Sequence, residues 1–219
     1  IVVVLPDGSE LDVPRGATLE DVAFEIGPGL GRDTVGGRID GELVGKEVPI
    51  TEDGAEIELV TEDSDEFVRV LRHTASHCLA QAVQRLYDDV ELAIGPPTDD
   101  GFYYDFDDLD VDEDDLAEIL AEMEEIIEAD YEVEYEQLSI DEARERLADQ
   151  PYKLELLEEL AEEGETVSFY SQGEWEDLCK GPHVDSTGEI AAVDLLEIAA
   201  AYWRGDEENP MQTRIYGTA

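Results

Sequence analysis

EFVRVLRHTASHCLAQAVQRLY, residues 66–87, decides how the larger part of this chain is built. It holds neither glycine nor proline. Phe67, Leu71, Cys78, Ala82 and Leu86 recur at helical spacing, so the stretch reads as one amphipathic helix. At 100° per residue His73, His77, Gln81 and Gln84 fall on roughly the opposite face. That face turns away from the apolar stripe, so the expectation is a polar, site-forming surface.

Upstream, residues 1 to about 62 read as a separate unit. IVVVLP and ELDVP are short strands joined through Asp7-Gly8, a hairpin-type pair. Thr18 caps a helix over LEDVAFEI, with Asp21 closing a capping box. Gly27, Gly29 and Gly31 are expected to end it. TVGGRI, ELVGKEVP and EIELVT then supply further strands. Strands around one helix in this length predict a small β-grasp domain. The unit holds no His or Cys, so it suits docking better than chemistry.

Downstream, the acidic TEDSDE at 61–66 marks the boundary, giving domains 1–62 and 63–219. ELAIG and GFYYDF flank a tight loop as strands. Residues 112–130 form an acidic amphipathic helix, and YEVEYEQL alternates like a strand. Ser139 caps a helix with Glu142 in its capping box; Pro151 opens the next helix and Gly164 closes it. TVSFYSQGEWEDLC reads as a hairpin turning at Gln172-Gly173, which leaves Cys179 at a strand end. AAVDLLEIAAAYW fits helix and strand equally. The fold class is α+β: a β-grasp domain, then a larger domain mixing helices with antiparallel sheet.

The chain has 219 residues and is 42% hydrophobic, enough for real cores. Sixty acidic residues against thirteen basic ones leave a net charge of −47. Such an excess, spread over a chain with apolar periodicity, is what a protein adapted to high salt carries. No apolar run nears the roughly 18 residues of a membrane helix, and there is no signal-peptide pattern. Two cysteines, Cys78 and Cys179, are too few for a disulfide scaffold, so a reducing cytoplasm is the expected compartment. Ile1 already lies inside a strand, and a piece of a longer chain is expected.

All three histidines lie in two pentapeptides, HTASH at 73–77 and CKGPH at 179–183. His73, His77, Cys179 and His183 are donors zinc prefers. They equally suit metal-free hydrolysis, in which imidazoles position and polarise a water. Asp177 can orient an imidazole or bind an ammonium group. Only three lysines remain, Lys46, Lys153 and Lys180; Lys180 follows Cys179, and Lys153, in the PYK segment, suits either a site role or an ion pair with a helix glutamate. Cys179 with a histidine partner also suits nucleophilic catalysis. Spacing does not separate these readings.

HTASH, AIGPPTDDGFYYDF, CKGPHVDSTGEI and AAAYWRGDEENPMQTRIYGTA together resemble the N-terminal half of bacterial-type threonyl-tRNA synthetases. VVVLPDGSELDV, DVAFEIGPGLG and RIDGELV resemble the leading TGS domain of that family. The H-x3-H and C-x-G-P-H pairing is shared with alanyl-tRNA synthetase editing domains. The resemblance implies that the part from about residue 63 hydrolyses serine wrongly attached to threonine tRNA. It implies His73, His77, Lys153, Asp177, Cys179 and His183 as the working residues, with Tyr103 or Tyr104 lining the pocket. Zinc at His73, His77, Cys179 and His183 is left open, since the alanyl relatives hold zinc there and the threonyl ones work through ordered water. Lys180 departs from the arginine common at its position.

The implied partner is the acceptor end of tRNA(Thr) carrying serine, with no membrane. The ATP-dependent catalytic and anticodon domains of the family lie outside this sequence. The parent enzyme would use ATP, magnesium and zinc there and would dimerise through those domains, leaving this portion a monomer. Two other readings stand beside the editing esterase: a zinc-stabilised tRNA-docking module without hydrolysis, and a free-standing trans-editing factor.

Overall fold

A computed structural model describes residues 1–164 and 166–219. The chain divides into two compact units. The first is Ile1–Val70 with Lys180–Val184, and the second is Leu71–Cys179 with Asp185–Ala219.

The first unit contains β1 (Val2–Val4), β2 (Glu10–Asp12), α1 (Leu19–Ile26), α2 (Pro28–Asp33), β3 (Thr34–Ile39), β4 (Glu42–Gly45) and β5 (Ala55–Thr61). Its five-stranded sheet runs β2-β1-β5-β3-β4. The central β1–β5 pair is parallel and the others are antiparallel, the β-grasp arrangement expected. Thr18 and Asp21 form the anticipated capping box. α1 stops at Ile26, but Gly29 and Gly31 do not simply end it. Pro28 restarts the backbone as the short α2, because proline is tolerated in a first helical turn. Leu19 and Val22 of α1 bury against Val3, Ala55 and Ile57 of the sheet. Gly37 allows this approach: a Cβ there would lie 2.4 Å from the Glu58 carbonyl and 3.0 Å from Leu19.

α3 (Phe67–Leu86) leads into the second unit. There follow β6 (Glu91–Leu92), β7 (Phe102–Asp107), α4 (Leu116–Glu128), β8 (Val133–Ser139), α5 (Ile140–Arg146), α6 (Pro151–Glu163), β9 (Thr166–Gln172), β10 (Trp175–Leu178), β11 (Asp194–Tyr202) and β12 (Met211–Thr218). The ambiguous AAVDLLEIAAAYW is thus strand, paired along β12. The unit has two antiparallel sheets, β11-β12-β7-β6 and β10-β9-β8.

Period-two alternation on β7 sends Phe102, Tyr104 and Phe106 into a core with α3 and α4. Burying each such aromatic is worth about 1.5–3 kcal/mol. A second core joins α5, α6 and the three-stranded sheet through Leu138, Ala143, Leu147, Leu157 and Phe169. The middle of α3, residues 74–83, is buried all round. Thr74, Ser76, His77 and Gln81 are as enclosed as Cys78 and Leu79. The polar face expected to form a site is interior at His77 and Gln81, because the β9–β10 hairpin covers it.

Candidate functional site

The hairpin is held on α3 by side-chain amides and an indole. Gln172 Nε2 on β9 donates to Gln81 Oε1 at 2.8 Å, and Trp175 Nε1 on β10 donates to Gln84 Oε1 at 2.8 Å. These bonds seat His77 against Trp175, ring centroids 5.0 Å apart and edge-on. One helical turn earlier, His73 meets His77 edge-on at 5.2 Å.

Past the end of β10, the Cys179 backbone is fixed by Ser168. The Cys179 N–H donates to the Ser168 carbonyl at 3.1 Å, and Ser168 Oγ donates to the Cys179 carbonyl at 2.5 Å. This brings Cys179 Sγ to 3.3 Å from His73 Nε2. Cys78, beside His77 in sequence, points into the core instead. Burial pushes its thiol up to about 12, so it stays a thiol.

Asp177 on β10 is the hub of the site. Lys153 Nζ from α6 lies 2.7 Å from Asp177 Oδ1 and donates to Oδ2 at 2.8 Å. Tyr104 from β7 donates its hydroxyl to Oδ2 at 2.7 Å, and Lys153 Nζ donates to the Tyr104 hydroxyl at 3.1 Å. His77 Nε2 is 4.0 Å from the same carboxylate oxygen. Asp177 Oδ1 is buried, and its contact is the Lys153 ammonium. Burial, reinforced by Asp177, raises the Tyr104 hydroxyl well above its ordinary range, so it remains a donor. Burial, then His73 and Lys153, lower His77 well below the ordinary imidazole value and keep it neutral.

Five of the residues expected from sequence, His73, His77, Lys153, Asp177 and Cys179, therefore meet in the second unit. His183 lies on the Lys180–Val184 segment, which belongs to the first unit. Within the second unit, the imidazoles of His73 and His77 and the thiol of Cys179 are donors that fit zinc chemically. The two tyrosines part company. Tyr104 joins the Asp177 hub, while Tyr103 faces the other side of its sheet, with the Arg214 guanidinium 3.8 Å from its ring centroid. Trp175 was not singled out from the sequence, and Gln172, expected in the hairpin turn, is instead the last residue of β9, paired with Trp175 across a turn at Gly173 and Glu174. Their signal was present only as polar side chains in a hairpin opposite the glutamines of α3.

Residues 1–61 match the TGS domain family, and residues 167–216 match the family described as the threonyl and alanyl tRNA synthetase second additional domain. The class is thus an aminoacyl-tRNA synthetase module pair. Over its whole length the chain carries the N-terminal region of the threonine–tRNA ligase family. It is 60% identical over 219 residues to threonine–tRNA ligases of Natronomonas pharaonis and Haloarcula marismortui. It is 52% identical over 218 residues to that of Rubrobacter xylanophilus. In each case essentially all of this chain is covered, and it spans 34% of the relative's length. No helix among the described residues is long and apolar enough to cross a membrane.

Proposed function

We propose that residues 63–219 are an editing esterase that removes serine wrongly attached to tRNA(Thr). The observation that carries this reading is the buried Lys153–Asp177–Tyr104 hub beside a neutral His77. Water attacks the ester carbonyl and its proton passes to an imidazole, for which uncharged His77 is suited. The Lys153 ammonium faces the oxygen that becomes negative. The bond from carbonyl carbon to ribose oxygen breaks, and that oxygen takes a proton as serine leaves. Asp177 Oδ1, with an acceptor position to spare, receives the substrate ammonium. His73 and Cys179 position the water.

Threonine differs from serine by one methyl, a difference worth about 1–3 kcal/mol in a binding pocket. A synthetic site therefore errs, and the second sieve admits only the smaller ester. The relatives are threonine–tRNA ligases, so the parent of this chain is proposed to attach threonine to tRNA(Thr) with ATP through domains outside these residues.

A second reading rests on the imidazoles of His73 and His77 and the thiol of Cys179, which stand together in the second unit. Those three would hold zinc, which when bound supplies a structural clasp. One experiment separates the two: deacylation of seryl- and threonyl-tRNA(Thr) in high salt, with and without chelator, alongside zinc analysis. Selective loss of the seryl ester, unaffected by chelation, supports editing. Stoichiometric zinc without hydrolysis overturns it in favour of docking, and equal hydrolysis of both esters rejects the sieve.

A further inference from the structure

A second polar group in the same unit has no part in that chemistry. Glu91 on β6 stands directly opposite Asp107 on β7. Gln212 on β12 lies one step beyond the Thr213–Phe106 pair of the adjoining ladder, opposite Ala201 on β11. Residues opposite one another in antiparallel strands put their side chains on one face. Glu91, Asp107 and Gln212 thus form a row across three strands. Tyr152 of α6 closes over it, donating its hydroxyl to Asp107 Oδ2 and packing with Trp203 and Ala93.

The row is short of positive charge. Like charges directly opposed in a sheet repel. The Asp107 oxygens accept only the Tyr152 hydroxyl and the Asp108 N–H, and among the described residues no arginine or lysine pairs with Asp107 or Glu91. Nearby Asp105, by contrast, has its own guanidinium, Arg214, at 2.7 Å. The Glu91 carboxyl is raised from its ordinary value by burial, then by Asp107 and Asp108. Gln212 is the independent sign. It is 2% exposed. Its amide approaches the Tyr152 hydroxyl, yet neither Nε2 nor Oε1 closes a hydrogen bond of ordinary geometry. A buried amide normally finds a partner.

We propose that this row binds an alkali cation, held by the Glu91 and Asp107 carboxylates and by Gln212 Oε1, with the Tyr152 hydroxyl at its edge. Every donor is a hard oxygen, and no thiol or imidazole is present to favour zinc or copper. Magnesium demands a near-ideal octahedron, which a row of side chains from adjacent strands does not offer. The ion neutralises the opposed carboxylates and fixes α6 on the sheet at Tyr152, one residue before Lys153.

The test compares thermal unfolding of the chain in potassium chloride and in tetramethylammonium chloride at equal ionic strength, where general screening is the same. The wild-type midpoint is expected to be higher in potassium. The difference should shrink at least twofold in Glu91→Gln and in Gln212→Leu. Equal wild-type midpoints, or a difference retained in both variants, would overturn the proposal. Calcium restoring the midpoint in tetramethylammonium where potassium does not would overturn the alkali assignment. Rubidium-soaked crystals give the direct readout. An anomalous peak bounded by Glu91, Asp107 and Gln212 supports the site, and its absence rejects it.

Discussion

Lys153 Nζ sits 2.7 Å from Asp177 Oδ1 with both side chains 3% exposed. Removing one partner of such a pair strands the other charge. Lys153→Met alone is expected to destabilise the chain by about 3–5 kcal/mol, whereas Lys153→Met with Asp177→Leu costs much less. Urea unfolding of both single variants and the double variant measures this. Additive effects would show that the pair is not coupled.

His73 and Cys179 are only partly buried, unlike His77. His73→Ala and Cys179→Ala are therefore expected to lower seryl-tRNA(Thr) deacylation by roughly 10²–10⁴-fold while leaving the unfolding midpoint nearly unchanged. Wild-type rates in both variants would remove these residues from the reaction.

Gly95 lies against the ring of Tyr104, and a Cβ there would sit 2.0 Å from Cδ2. Tyr104 is fully buried and has no room to retreat. Gly95→Ala should cost about 1–3 kcal/mol through overpacking. Deacylation should fall with it, because the Tyr104 hydroxyl leaves Asp177. Chemical denaturation and the deacylation rate together check this; unchanged values in both would mean that the sheet yields.

Folding raises the Glu91 carboxyl, through burial and then Asp107 and Asp108. Between the unfolded value and the raised one the native chain holds the extra proton, so stability from this group is full below the unfolded value and is lost as pH rises through the raised one. In salt lacking potassium, Glu91→Gln should raise the unfolding midpoint at pH 7 and change it little at pH 4. A larger gain at pH 4 would contradict the sign.

With 60 acidic and 13 basic residues, self-repulsion dominates the surface. Raising potassium chloride from 0.15 M to 1 M shortens the Debye length from about 8 Å to about 3 Å. The unfolding midpoint should climb across that range. A flat or falling midpoint would count against salt adaptation.

The elements with strong local chemistry were legible in the sequence. Thr18–Asp21 and Ser139–Glu142 announce their helices through capping boxes, and both form. The four donors of HTASH and CKGPH are legible in the sequence, since the chain has no other histidines. The surroundings were not legible. The helical wheel of α3 separates apolar from polar residues but does not say what covers the polar side. Only the pairing of Trp175 with Gln84 and Gln172 with Gln81 encloses His77. Tyr103 and Tyr104 are the same residue type in adjacent positions, and the strand's alternation alone decides which one reaches Asp177.

Tyr104, Lys153 and Asp177 come from β7, α6 and β10, separate stretches of the second unit. During synthesis the ribosome delivers the phenol first and the ammonium next. The carboxylate that both address arrives later, with Cys179 two residues behind it. Until then Lys153 has no counter-charge to carry it into the interior. Translation thus imposes an order of assembly in which the buried ion pair closes last.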